Sequence, residues 1–261
     1  MIQVSNLIKK FGDFTAVNNI SLEVKKGEMF AFLGPNGAGK STTIKIFTTL
    51  LHATSGEVLI NSFDVAHEQL KVRKSFGIVF QDQSLDDELT AYENMEFHAI
   101  IYGLDKSERR ARIEQFLRLV DLWDRKKSLV KEFSGGMKRR LEMARGLLHE
   151  PTILFLDEPT LGLDPQTRNH IWSYIKKLNQ EKGLTVFFTT HYMEEAEKYA
   201  ERLAIIDHGL IKALGTPTEL KAHTASSSLE EAFLKLTGYD IRDEGVSNAE
   251  AMREQRKRWK H

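Results

Sequence analysis

The 261-residue sequence contains no cysteine, which excludes disulfides, thiolate nucleophiles and cysteine-ligated zinc and is compatible with a reducing compartment. An excess of either charge is also missing. Lys plus Arg number 37 and Asp plus Glu number 37, so nothing draws the chain as a whole toward nucleic acid. Long apolar runs are absent too: the longest, such as 29–33, 153–156 and 185–188, fall far short of the roughly 20 residues needed to cross a bilayer. No basic and then apolar leader precedes the first alternating residues (Met1, Ile2, Gln3, Val4), and the expectation is a soluble cytosolic protein. What the sequence does have is 41% hydrophobic residues over a length sufficient to bury a core.

Apolar and polar residues alternate over 2–8 and 20–24, which predicts strands, and Lys25, Lys26 and Gly27 supply a turn before a third strand at 29–33. Ile44, Phe47, Leu50 and Leu51 then recur at helical spacing and predict a helix over 40–51, followed by a loop at Ser55 and Gly56 and a strand over 57–60. Strand, glycine loop, helix, strand is the grammar of an α/β fold. Residues 90–149 read as helical almost throughout, with apolar positions at Ile113, Phe116, Leu117 and Val120 and again at Met137, Leu141, Ala144 and Leu148. This stretch is expected to form a helical lobe inserted into the α/β body. Short buried strands return at 153–156, 185–188 and 203–206, separated by amphipathic helices as parallel pairing requires. Beyond Gly215 the chain turns polar, with a short helix expected over 229–236 and a charged tail after it.

Gly34, Pro35, Asn36, Gly37, Ala38, Gly39, Lys40 and Ser41 follow an apolar strand and open a helix, the context required of a phosphate-binding loop. Glycines let consecutive backbone N–H groups turn toward phosphate oxygens, and the helix N-terminus adds the positive end of its dipole. Lys40 is expected to reach the terminal phosphates, the Ser41 hydroxyl to ligate Mg²⁺, and Thr42 to contact the α-phosphate. The plain alternative, a glycine-rich turn without a ligand, is disfavoured by the flanking strand and helix. A second apolar strand, 153–156, runs into Asp157 and Glu158. Successive side chains of a pleat point to opposite faces, so the two carboxylates are expected to do different jobs. Asp157 suits the orientation of Mg²⁺ or its waters, and Glu158 a general base or water-positioning group beside the γ-phosphate. The bland reading is a polar strand end entering a turn at Pro159.

Phe133, Ser134, Gly135, Gly136 and Met137 precede a helix, with Ser134 placed as its N-cap. Between a phosphate loop and an acidic strand end, this segment resembles the signature of ABC ATPases, and the likeness spans about residues 1–220. The resemblance implies an α/β fold: a P-loop NTPase (RecA-like) parallel-sheet core, an N-terminal antiparallel β subdomain and an inserted α-helical lobe at about 82–149. A C-terminal helix and charged tail would then occupy 221–261. It also implies that Ser134, Gly135 and Gly136 bind the γ-phosphate of ATP held by an opposite subunit. Gln81 resembles the Q-loop glutamine that touches Mg²⁺ and the attacking water. Leu161, Gly162, Leu163 and Asp164 resemble the D-loop that crosses the dimer interface, while Asp164 followed by Pro165 is also a good N-cap and N1 pair. His191 resembles the switch histidine that contacts the γ-phosphate and orients Glu158. Phe11 resembles the adenine-stacking aromatic, usually a tyrosine; Phe14 is a rival, and an ordinary hairpin aromatic is the plain alternative.

Met137 stands where the family most often has glutamine. The runs Lys138, Arg139, Arg140, Leu141, Glu142 and Thr190, His191, Tyr192, Met193, Glu194, Glu195, Ala196 resemble ABC-2-type exporter ATPases, the daunorubicin-resistance type above all. So does the segment from Ser228 to Phe233. The resemblance implies an ATPase using ATP and Mg²⁺ and working with a second cassette, expected to be another copy of the chain. It further implies an integral membrane permease docking near 82–93, a place on the cytoplasmic face of the cell membrane, and no nucleic-acid partner. DNA-acting relatives carry long coiled coils before the signature, for which 82–133 is too short. The tail, with Arg253, Arg256, Lys257, Arg258, Trp259 and Lys260, is open to two readings: a solvated terminus or weak contact with anionic lipid.

Overall fold

The computed structural model describes residues 1–238; the basic tail, with its lipid-contact expectation, lies outside the described residues. The chain opens on an antiparallel hairpin, β1 (Ile2–Phe11) and β2 (Phe14–Val24), and continues through β3 (Met29–Leu33) into α1 (Lys40–Phe47). Next come β4 (Ser55–Ile60), β5 (Phe63–Asp64), α2 (Gln69–Ser75) and β6 (Phe76–Val79). Three helices follow: α3 (Ala91–Ile101), α4 (Lys106–Leu119) and α5 (Gly135–Leu147). The chain returns through β7 (Ile153–Asp157), α6 (Pro165–Lys182), β8 (Thr185–Thr189) and α7 (Met193–Tyr199). It closes with β9 (Arg202–Asp207), β10 (Leu210–Gly215), α8 (Pro217–His223) and α9 (Leu229–Thr237).

Among the described residues two sheets form. The first is antiparallel, in the order β2-β1-β4-β5. The second runs β10-β9-β3-β8-β7-β6 and is parallel except for the β9–β10 pair. Strands β6 and β7 lie side by side from Phe76 opposite Ile153 to Val79 opposite Leu156, so α3, α4 and α5 form an excursion between two neighbouring strands. The period-2 alternation of the central strands divides the core. Ala31, Leu33, Leu154, Leu156, Val186 and Phe188 face α3–α6, whereas Phe30, Phe32, Phe155 and Phe187 face α1 and the antiparallel sheet. Phe187 sits at the centre of the second face, with Phe30, Phe32, Phe47 and Phe155 at centroid distances of 5.7, 5.5, 5.5 and 5.8 Å.

Helix α1 and strand β10 depart from the sequence expectation, and Ser55 and Gly56, expected as a loop, are the first residues of β4. Helix α1 ends at Phe47, a turn before Leu51, because Thr49 adopts φ 61° and the N–H groups of Thr49 and Leu50 return to the carbonyls of Ile46 and Lys45. This is a helix stop of the Schellman type with threonine at the left-handed position, and it leaves Leu50 exposed. Strand β10 was not anticipated: its residues alternate between exposed and partly covered at a sheet edge, and a turn with His208 and Gly209 both at positive φ folds it back on β9.

Candidate active site

Parallel strands carry their C-terminal ends to one edge of the sheet, where ligands of open α/β folds bind. Here β3 delivers the glycine loop, β6 Gln81, β7 Glu158 and β8 His191. Residues 36–42, Gln81, Glu158, Leu161 and His191 line a cavity of about 480 Å³. Within the loop Gly39 stands at φ 109°, and a Cβ there would lie 2.5 Å from the Ala16 carbonyl oxygen, so a side chain would block the turn into α1. Helix α1 starts without a side-chain cap, whereas α3, α4, α5 and α6 each start under a capping oxygen. Its first N–H groups are therefore left to a ligand, and an anion suits them. Lys40 is buried and donates from Nζ to the carbonyls of Gly34 at 2.7 Å and Pro35 at 3.2 Å. Burial pushes its pKa down, and the carboxylates of Glu158 and Asp157 pull in the opposite direction.

The acidic pair is separated by a different device from the expected pleat. Asp157 is the last strand residue, and Glu158 turns off the strand at φ 52°. Thr189, opposite Asp157 in the sheet, donates its hydroxyl to Asp157 Oδ1 at 2.7 Å and accepts the Glu158 N–H at 3.0 Å. Turned this way, Glu158 Oε1 meets His191 Nε2 at 2.6 Å. Glu158 Oε2 is buried and takes no hydrogen bond from a described residue, which fits a group that brings its own proton or positive charge. Backbone donors, one ammonium, the hydroxyls of Ser41 and Thr42 and two carboxylates together suit a polyphosphate with a hard divalent cation.

The remaining sequence candidates lie elsewhere. Ser134 caps α5, accepting the Met137 N–H at 3.3 Å, and it is exposed beside Gly135. Asp164 caps α6, accepting from the N–H and hydroxyl of Thr167 at 2.9 and 2.6 Å, bonds that hold its carboxyl below the usual range. A Cβ on Gly136 would lie 3.0 Å from Thr167 Cγ2, so the starts of α5 and α6 adjoin. Ser134, Gly135, Gly136 and Asp164 are not among the residues lining the cavity. Phe11 is outside that lining as well: it pairs with Phe14 at the β1–β2 hairpin end, with Lys9 Nζ 4.8 Å from its ring centroid.

Sequence reasoning passed over three supports of the site. Thr189 bridges the acidic pair, and its one signal is a hydroxyl in an apolar strand. Glu195, buried on α7, accepts from the hydroxyls of Thr160 at 2.7 Å and Thr190 at 2.8 Å, joining the loop after Glu158 to the one before His191. Arg139, the middle of a basic run, is buried beneath the Glu158 turn.

Comparison with known proteins bears on this arrangement. The ABC transporter family profile matches residues 17–161. The linearmycin resistance ATP-binding protein LnrL of Bacillus subtilis is 43% identical over 242 residues, spanning 90% of this chain and 78% of that protein. The daunorubicin/doxorubicin resistance ATP-binding protein DrrA of Streptomyces peucetius is 40% identical over 252 residues, spanning 97% and 73%. The solved structure of an ATP-binding subunit of an ABC transporter aligns with a TM-score of 0.83 at 31% identity, over 90% of this chain and 99% of that one. A dimeric ATP-binding cassette in a post-hydrolysis state with ADP and Pi aligns at 0.76 and 33% identity, over 83% and 98%. Likeness of this extent in both sequence and fold makes the chain a member of the ABC transporter family, one of its ATP-binding, ATP-hydrolysing subunits.

Proposed function

We propose that the chain drives an ABC-2-type drug exporter through ATP-dependent pairing of two copies of itself. The observation that carries the reading is the division of the candidate residues between two places. One is a cavity lined by residues 36–42, Gln81, Glu158 and His191; the other is a surface where Ser134, Gly135 and Asp164 are exposed and Gly136 is half-buried. A chain with both halves, set apart, is suited to head-to-tail pairing in which each copy completes the other's site. In that arrangement residues 34–42 cradle the triphosphate, Phe11 stacks on adenine, and Ser134, Gly135, Gly136 and Asp164 serve the nucleotide of the second copy. Ser41, Gln81 and Asp157 would hold Mg²⁺, which would neutralise phosphate charge. Glu158, oriented by His191, accepts the proton of the attacking water, and the rest of the acceleration is positioning and charge stabilisation.

Export is supported by the names of LnrL and DrrA, both resistance proteins. A permease partner is supported by α3, which exposes Phe97, Ile100 and Ile101, with Leu70 of α2 also exposed. Phe97, Ile100 and Ile101 continue along α3 from the end of the expected docking segment, 82–93. No helix among the described residues is long and apolar enough to cross a membrane, which accords with a cassette held at the cytoplasmic face by its permease. We read residues 1–220 as the cassette, with the lobe at about 82–149.

Glu158→Gln tests the scheme. The variant is expected to bind ATP as before, to lose turnover by about 10²–10⁴-fold, the usual worth of a general base, and to accumulate an ATP-dependent dimer on size-exclusion chromatography. Unchanged turnover removes Glu158 from its role, and full activity in a strictly monomeric sample overturns the pairing.

A further inference from the structure

We infer that Arg139 is a positioning residue of the ATPase: from the helix that begins at Ser134 it fixes both the backbone turn at Glu158 and the segment carrying Gln81. The inference rests on the reading of Glu158 as the base. Arg139 lies one turn into α5 and is 7% exposed. A guanidinium has five N–H donors in a rigid fork, and here all are used. Nε donates to the Pro159 carbonyl at 2.8 Å, and Nη2 to the carbonyls of Asp157 at 3.0 Å and Glu158 at 2.9 Å. Nη1 donates to the Phe80 carbonyl and to Glu142 Oε2, the latter at 3.2 Å. In a strand successive carbonyls point to alternate sides, so three consecutive ones gathered on one side chain define a turn. That turn is the one at which Glu158 takes its positive φ and reaches His191.

The same helix grips the Gln81 segment at its other end. Glu142, 1% exposed, accepts the Ser84 N–H at 2.7 Å through Oε1 while Oε2 answers Arg139, and Arg145 donates to the Ser84 carbonyl at 2.7 Å. Arg139 thus holds the chain just before Gln81, and Glu142 and Arg145 hold it just after. The neighbouring basic residues do other things: Lys138 pairs with Asp87 at the surface and Arg140 donates to the Val120 carbonyl. Neither flanking cation can substitute, because 100° of helical rotation separates each from the buried direction.

The test uses the full chain in steady-state ATP hydrolysis. Arg139→Lys keeps a charge but loses the fork. Its kcat is expected to fall by about 10–100-fold, the range for small misplacement of a catalytic group, with KM and the affinity for a non-hydrolysable ATP analogue within about threefold of wild type. Because three of its five donors hold the Glu158 turn, the same substitution in a Glu158→Gln background should lower the residual rate by a smaller factor than it lowers the wild-type rate, the remainder reporting the hold on the Gln81 segment. Arg139→Met/Glu142→Met removes cation and carboxylate together, leaving no lone buried charge, and should show the same loss of kcat with a folded circular dichroism spectrum. Wild-type kcat in either Arg139 variant overturns the inference, as does an equal loss with and without Glu158. Unchanged turnover in Glu158→Gln alone overturns the base assignment and this inference with it. An impaired Glu158→Gln beside an unimpaired Arg139→Lys overturns the inference only.

Discussion

At the scale of single residues, Lys40 has surroundings that an inert side chain would not keep. Its ammonium is buried, which disfavours the charge, and the nearby Glu158 and Asp157 favour it. The two carbonyls it holds belong to Gly34 and Pro35 of the phosphate loop, so its charge sits at the loop's own mouth. Lys40→Met removes a charge-assisted contact of about 1.5–3 kcal/mol, and ATP affinity is expected to drop by about 10–150-fold. Fluorescence titration with a labelled nucleotide measures this; undiminished affinity would take Lys40 out of the phosphate site. Glu195 shows the opposite kind of burial. A carboxylate sunk on α7 is tolerable because hydroxyls of Thr160 and Thr190 donate to it, and the loops that carry Glu158 and His191 are joined as a result.

At the scale of elements, α3 is fastened to the sheet through an aromatic stack. Tyr102, just past α3, lies over His149 with centroids 3.8 Å apart and planes 17° from parallel, and His149 Nε2 is 2.9 Å from the Phe76 carbonyl at the start of β6. Burial pushes the pKa of His98 from 6.5 down to about 3 and that of His149 down to about 4. Both rings are neutral in the folded chain, while the unfolded chain takes up protons below about pH 6.5. Stability from this source is complete above that pH and declines as pH falls, until the folded His149 itself protonates near pH 4. Each histidine steepens the decline by up to about 1.4 kcal/mol per pH unit. In His149→Phe, which keeps a ring in the stack, urea unfolding between pH 6.5 and 4.5 should lose one such increment. An identical slope in variant and wild type would contradict the burial of a neutral ring.

At the scale of the whole molecule, the interior is arranged on two faces of one sheet and an apolar patch on α3 is left exposed outside it. Buried alternation in β3, β7 and β8 fills both faces with large apolar side chains, which is why the loops of the candidate site emerge from a rigid edge. The apolar residues left exposed on α3, namely Phe97, Ile100 and Ile101, form the surface on which we propose that an amphipathic helix of the permease docks. Ile101→Glu places a charge in that contact. Recovery of the permease with the chain from detergent-solubilised membranes is expected to fall about tenfold, the equivalent of 1.4 kcal/mol, with ATPase activity of the isolated chain preserved. Equal recovery would move the docking surface elsewhere.

By itself the sequence determined the glycine loop between strand and helix, the acidic strand end, the alternating strands and the periodic helices, because each depends on residues adjacent in the chain. A glycine-rich turn before a helix, or a Ser or Asp cap, acts within a few residues and is legible there. Local chemistry also failed in places: Leu50 and Leu51 continued the helical spacing, yet Thr49 took the left-handed position that glycine usually marks. Only the tertiary structure decided the rest. Strand pairing set Thr189 against Asp157, the excursion between β6 and β7 brought Arg139 under the Glu158 turn, and α7 carried Glu195 to Thr160. Hydrogen bonds between segments distant along the chain have no periodicity to announce them, and folding alone brings their donors to their acceptors.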